Sequence, residues 1–261
     1  MSQDKYTAET ITWVRTWVPG KLFSFRTTRD RAFRFAPGQF ARLGLRREDG
    51  EAVWRAYSIV SATHDDFLEF FSIVVPGGEF TSRLEHMREG DPILVEKTAY
   101  GFLTTAAFPQ GEDLWMLASG TGLAPFLSVL QDLEVWDSYR HLILVHSART
   151  AEELAYRDMI EGLREHEYFG ALCREQPGKL VYLPSVTREH VAGALDRRIT
   201  ALLADGTLER AAGVALDPSR SRVMLCGNPA MVADLRKELA GRGFGASRRG
   251  KPGNLAVENY W

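Results

Sequence analysis

Cysteine is nearly absent. The two that occur, Cys173 and Cys226, are too few for a disulfide framework and lack the spacing of a zinc or iron–sulfur site, so a reducing compartment is expected. Charge of one sign is lacking as well: the formal net charge of −2 gives no global basic field for nucleic acid. Long apolar runs are missing too, since no stretch approaches the ~18 residues of a membrane helix. The first ten residues are polar and carry no signal-peptide core. These absences together lead to the expectation of a cytoplasmic protein with no membrane span, no nucleic-acid partner and no metal ligand set.

What is present is the material of a folded chain. Hydrophobic residues make up 45% and charged residues 25% of 261 positions, enough for two domains, each with its own core.

Up to residue 96 the pattern is short and β-rich. Candidate strands cover residues 9–16, 22–27, 39–45, 53–60, 67–75 and 93–96, separated by turn signals such as Pro19-Gly20, Ala36-Pro37-Gly38, Glu48-Asp49-Gly50 and Pro76-Gly77-Gly78. Six short strands with little helix between them imply a small antiparallel barrel. One helix is predicted over 80–88, with Phe80, Leu84 and Met87 on one face behind a Thr81 or Ser82 cap. Its start is either an anion-holding terminus or a plain capped helix.

Residues 102–113 are small and polar and contain Pro109-Gln110-Gly111, which places the boundary between a domain over 1–105 and one over 106–261. Beyond it, apolar strands alternate with amphipathic helices: 114–118 with 125–133, 142–146 with 152–164, 180–186 with 192–203, and 223–226 with 230–242. That alternation implies a parallel α/β sheet, whose ligands bind in the loops at the carboxyl ends of its strands.

Several stretches carry candidate chemistry. Arg55-Ala56-Tyr57-Ser58 offers a guanidinium for a phosphate, a ring for a flat ligand and a hydroxyl for its edge, provided that a strand end or bend aims all three together. An ordinary barrel strand is the alternative. Ser119-Gly120-Thr121-Gly122-Leu123-Ala124-Pro125 joins a strand to a helix and suits a pyrophosphate, although Pro125 stands where the usual dinucleotide fingerprint has its third glycine, leaving a plain βα turn open. Leu225-Cys226-Gly227-Asn228-Pro229 is a second such turn. Cys226 there is either a buried filler or a thiol beside a reacting ring; no neighbouring base activates it as a nucleophile. Arg149, Arg188, Arg197 and Arg198 fall on strand-to-helix loops and could converge on a 2′-phosphate, and no acid ends the 142–146 strand, which favours NADP over NAD. Solvated helix-face arginines are the alternative for Arg197 or Arg198. The chain closes on Glu258-Asn259-Tyr260-Trp261, two terminal aromatics that pack either on a flat ligand or on the core.

In this order the motifs, together with Phe35-Ala36-Pro37-Gly38-Gln39-Phe40, resemble the ferredoxin–NADP reductase family, and most closely its bacterial ferredoxin/flavodoxin reductases. The resemblance spans nearly the whole chain and implies an N-terminal FAD-binding antiparallel barrel followed by a C-terminal NADP-binding α/β domain. It implies that Arg55 meets the FAD pyrophosphate, Tyr57 stacks on the isoalloxazine and Ser58 bonds near N5, with Ala56, Ser72, Val74, Thr81 and Ser82 also lining the FAD. Gly120, Thr121 and Gly122 would approach the nucleotide phosphates, with Thr121 also near the FAD. Arg149, Arg188 and Arg198 would clamp the 2′-phosphate, and Cys226, Gly227 and Asn228 would flank the nicotinamide. Glu258 would relay a proton, Tyr260 would cover the second flavin face and Trp261 would lie over the adenine.

The activity implied is hydride transfer from NADPH to FAD, then single-electron transfer to ferredoxin or flavodoxin by a monomer. Exposed cations such as Arg46, Arg47, Arg248, Arg249 and Lys251 could steer an acidic partner. A reductase component feeding an oxygenase shares the two domains, but such modules often carry an iron–sulfur domain, and no cysteine cluster occurs here. A non-catalytic nucleotide-binding regulator is the reading from a different class.

Overall fold

The computed structural model describes residues 5–248 and 250–259. The chain condenses into two units. One holds the described residues up to Thr104 together with Ala124–Asp132; the other holds Thr105–Leu123 and the described residues from Leu133 onward.

The first unit is built on six strands: β1 Tyr6–Val18, β2 Leu22–Thr28, β3 Phe40–Arg46, β4 Ala52–Ser58, β5 Phe67–Ile73 and β6 Pro92–Glu96. They run in the order β4-β3-β6-β1-β2-β5, and every pairing is antiparallel. The outermost strands meet just past the end of β4, where Ile59 bridges Phe70 and the Val60 N–H donates to the Glu69 carbonyl at 2.8 Å. The sheet thus curls around one apolar interior that includes Ile11, Phe25, Leu43, Ile59 and Phe70. All six expected strands are present.

The helix expected over 80–88 shrinks to a single turn, α1 Thr81–Leu84, with no side-chain cap. The Thr81 hydroxyl instead accepts the Val75 N–H at 3.0 Å, bracing the turn before it. Phe80 and Leu84 are buried in the sheet's core, so packing holds this turn in place.

A second helix belongs to this unit although it follows the other unit's first strand in sequence. It is α2, Ala124–Leu130, and every residue in it is buried. Ser128 Oγ donates to the Ser61 carbonyl at 2.9 Å and Gln131 Nε2 to the Val60 carbonyl at 2.8 Å.

The second unit carries α3 Leu133–Ser138, α4 Arg157–Gly162, α5 Glu167–Glu175, α6 Ile199–Ala204, α7 Thr207–Ala212 and α8 Pro229–Gly241 around β7 Asp113–Ser119, β8 His141–Ala148, β9 Leu180–Val186, β10 Ser221–Gly227 and β11 Leu255–Asn259. The strands lie in the order β11-β10-β7-β8-β9, all parallel. The middle strands are buried nearly throughout, which is why they read as continuous apolar runs. Trp115, Leu117, Ile143, Val145, Val223 and Leu225 share one core with residues of α6 and α8.

Three helices differ from their expected extents. The 152–164 segment breaks into a 3₁₀ turn at Ala151–Glu153 and α4, interrupted at Tyr156, whose φ of 62° no helix continues through. Only the last part of 192–203 is helical; before it Leu195 exchanges backbone bonds with Pro184 and Val186. The expected 125–133 helix gives way to α2 and α3. The fifth strand, β11, was not expected, because Leu255-Ala256-Val257 is a short apolar run inside what reads as a tail.

Candidate functional site

Strand β4 ends at Ser58, opposite Phe40, and there alternation gives way. Arg55 and Ala56 are exposed, whereas Tyr57 and Ser58 are both buried. The strand end therefore supplies the required bend, but Arg55 and Tyr57 do not share an environment. Arg55 Nη1 donates to its neighbour's carbonyl, that of Trp54, at 2.8 Å, leaving an exposed guanidinium.

The Tyr57 ring sits 5.7 Å from Phe80 and packs near-perpendicular to Phe25 and Phe70. Its hydroxyl pairs with Ser72 Oγ at 3.1 Å, and burial pushes its pKa up to about 12. Ser72 is thus buried and engaged with Tyr57. Ser58 differs: its Oγ is buried with no hydrogen-bond partner. A buried hydroxyl left unpaired costs free energy, and a ligand that pairs with it recovers that cost. This orphaned group fits the polar edge of a flavin.

Val74 to Ser82 forms a turn. The Val74 N–H bonds to the Lys21 carbonyl and the Gly78 N–H to the Val75 carbonyl, with Gly77 at φ 70°. Glu79 here takes a two-pronged contact from Arg47, at 2.6 and 3.0 Å, which pulls its carboxyl below the usual range. Arg47 is therefore engaged within the protein. Arg249, Tyr260 and Trp261 lie outside the described residues.

In the second unit, one row crosses the sheet near its carboxyl edge. Glu258 pairs with Cys226, Cys226 with Ala118, Ala118 with His146 and His146 with Pro184. Register partners in a parallel sheet face the same side, ~5 Å apart from strand to strand. Cys226 is fully buried. Glu258 is partly buried, its Oε2 has no hydrogen-bond partner, and desolvation raises its pKa to about 7. The sequence reading brought these two residues together only through resemblance; the strand register puts them side by side.

The Gly120–Leu123 segment makes a 3₁₀ turn leading into α2. A Cβ on Gly122 would stand 2.4 Å from the Cys226 carbonyl oxygen, so only glycine lets this turn lie against the end of β10. Gly227, at φ 132°, is equally closed: its Cβ would come 2.4 Å from Ser119 Oγ. Asn228 is the side-chain cap of α8, accepting from the Ala230 and Met231 N–H groups at 2.9 and 3.2 Å, and its own N–H donates to Ser119 Oγ at 2.9 Å. Its side chain is thus committed to the helix.

The arginines divide. Arg149 and Arg188 are both exposed and are joined through backbone, the Arg188 N–H donating to the Arg149 carbonyl at 2.9 Å. Glu153 steadies this corner by accepting the Arg149 N–H at 3.1 Å. Arg198 is exposed at the start of α6. Arg197, just ahead of α6, instead pairs with Asp205 at 2.6 Å, so its guanidinium is engaged within the protein. One residue that the sequence reading passed over is His146, fully buried, with Nε2 3.2 Å from the Gly120 carbonyl. A lone histidine ending an apolar strand was its only signal.

Both halves match known families. Residues 19–101 match the oxidoreductase FAD-binding domain and residues 116–237 the oxidoreductase NAD-binding domain. The chain is 46% identical to ferredoxin–NADP reductase A of Sorangium cellulosum over 97% of its own length and 89% of that protein's. It is 40% identical to the flavodoxin/ferredoxin–NADP reductase of Rhodobacter capsulatus over 96% of its length and 92% of the relative's. A crystal structure of a ferredoxin NADP+ reductase from Neisseria gonorrhoeae with bound FAD and NADP superposes with a TM-score of 0.90 at 37% identity, covering 98% of this chain and 99% of that one. An antiparallel unit with an orphaned buried hydroxyl and a parallel unit with a glycine turn at its carboxyl edge agree with these matches, and the chain belongs to the ferredoxin–NADP reductase family.

Proposed function

We propose that this chain is a ferredoxin/flavodoxin–NADP reductase, holding FAD on its antiparallel unit and NADP(H) on its parallel unit. The observation that carries the reading is the buried, unpartnered Ser58 hydroxyl at the end of β4, in a chain whose relatives bear that activity in their names. Bound FAD supplies the exchange between a hydride from NADPH and single electrons for ferredoxin or flavodoxin.

The chain's residues position and tune. Arg55 neutralises the FAD pyrophosphate, Ser58 bonds the flavin edge, and Tyr57 bounds the isoalloxazine with a ring fixed by Phe80 and Ser72. The Val74–Ser82 turn, braced by Thr81, lines the same cofactor. Gly120, Thr121 and Gly122 receive the nucleotide phosphates, while Arg149, Arg188 and Arg198 hold the 2′-phosphate. Cys226 packs beside the nicotinamide. Glu258, whose carboxyl is pushed by burial to a pKa of about 7, can hold or release a proton near neutrality beside Cys226.

The working form is a cytoplasmic monomer; among the described residues no helix is long and apolar enough to cross a membrane. The test is anaerobic: FAD-loaded protein and NADPH are mixed with a ferredoxin or a flavodoxin, and the acceptor's reduction is followed by its own spectrum. Reduction that requires both FAD and NADPH is expected. Flavin reduction with neither acceptor reduced would contradict the partner assignment alone.

A further inference from the structure

His146 is buried at the end of β8 and makes one contact that reaches the candidate nucleotide turn. Its Nε2 lies 3.2 Å from the Gly120 carbonyl oxygen. A carbonyl only accepts, so Nε2 carries the proton and Nδ1 holds a lone pair. That Nδ1 is buried with no hydrogen-bond partner. The imidazole is neutral throughout the physiological range, because burial drives its pKa down to about 4.

We propose that His146 is a positioning residue of the nucleotide site: by holding the Gly120 carbonyl it turns the Thr121 N–H the opposite way, out to the dinucleotide's phosphates. The step from one group to the other is the planarity of the trans peptide, in which the carbonyl and the following N–H point in opposite directions. Gly120 has φ 54° and nothing within 4 Å of where its Cβ would stand. Side-chain packing does not pin this residue; its carbonyl heads the 3₁₀ turn and also takes the His146 Nε2–H, which adds to the turn's own hold on the peptide. Gly122 two residues on is fixed differently, by contact with the Cys226 carbonyl.

The orphaned Nδ1 separates this role from a structural one. An apolar side chain of similar size would remove the cost of that unpaired acceptor, so a variant can keep its stability and still lose the Nε2–H bond. The inference rests on the reading of Gly120-Thr121-Gly122 as a nucleotide site.

Two variants test it in FAD-loaded protein: His146→Met, which removes the donor at similar volume, and His146→Gln, whose Nε2 can replace it. NADP+ binding is measured by calorimetry, with thermal midpoint and FAD content as controls. His146→Met is expected to weaken NADP+ by about fivefold with an unchanged or raised midpoint, and His146→Gln to stay within about twofold of the parent. Parent-like affinity in His146→Met, or equal weakening in both variants with lowered midpoints, would overturn the proposal. A second readout needs no variant: nitrogen-15 NMR of the parent should show the Nε2–H tautomer, and the Nδ1–H tautomer would sink the idea. If the parent itself fails to bind NADP+ while showing the Nε2–H tautomer, the nucleotide-site reading fails and takes the inference with it.

Discussion

Ser58 and Tyr57 adjoin in sequence and have opposite hydrogen-bonding fates. Tyr57 is paired to Ser72, whereas Ser58 has no partner. Ser58→Ala should therefore leave the thermal midpoint of the FAD-free protein unchanged or higher, since it deletes a buried unsatisfied hydroxyl, while slowing flavin reduction by NADPH about tenfold. A stopped-flow trace beside a melting curve checks both; a lower midpoint with an unaltered rate would mark Ser58 as structural. Glu258 gives a pH signature. Its folded pKa of about 7 lies above the ordinary 4.5, so the folded state holds more protons than the unfolded one between those values. Its contribution is most favourable below the unfolded value and is lost as pH rises to about 7, a fall of roughly 3 kcal/mol. Glu258→Gln should flatten that part of the stability curve, as urea unfolding at about pH 4.5 and about pH 8 would show. An unchanged slope would mean that the carboxyl titrates like an exposed one.

At the scale of elements, the two glycines of the Gly120-Thr121-Gly122 turn serve different ends. Gly120→Ala meets open space and costs only left-handed backbone, about 1 kcal/mol. Gly122→Ala drives a Cβ into the Cys226 carbonyl and should cost about 1–3 kcal/mol while also weakening NADP(H) binding by displacing the turn. Denaturant unfolding of both variants decides this; equal costs would remove the close approach from the site's design. The strands were legible because their apolar runs are dense and their turns carry Gly and Pro. Where contacts distant in sequence decide, the reading failed. The Phe80 turn is held by Phe80 and Leu84 packing into the sheet's core and by Thr81 bonding backward to Val75, not by a helical stripe of its own. α5 was missed although its apolar and polar residues lie on opposite faces. β11 exists because β10 offers an edge to Leu255-Ala256-Val257-Glu258-Asn259, which no local pattern announces. The site shows the same division. Arg149 and Arg188 could be named from their loops, but their joining through one backbone bond, like the pairing of Glu258 with Cys226, follows from register alone.

At the scale of the whole molecule, the two nucleotide readings rest on separate units and separate physics. In the antiparallel unit the proposed site lies where a strand ends and a polar group is left buried. In the parallel unit the proposed site lies at the carboxyl edge, where glycines let backbone come close and exposed arginines stand on adjoining loops. The grouping of α2 with the first unit means that the chain passes from the Gly120-Thr121-Gly122 turn directly into that unit. Family membership joins the two readings into one reaction, and a single titration tests that union: anaerobic addition of NADPH, and separately NADH, to the FAD-loaded protein while the oxidised-flavin band is recorded. Bleaching at far lower NADPH than NADH is the predicted result. A protein that takes up no FAD, or whose flavin neither nucleotide bleaches, would contradict it.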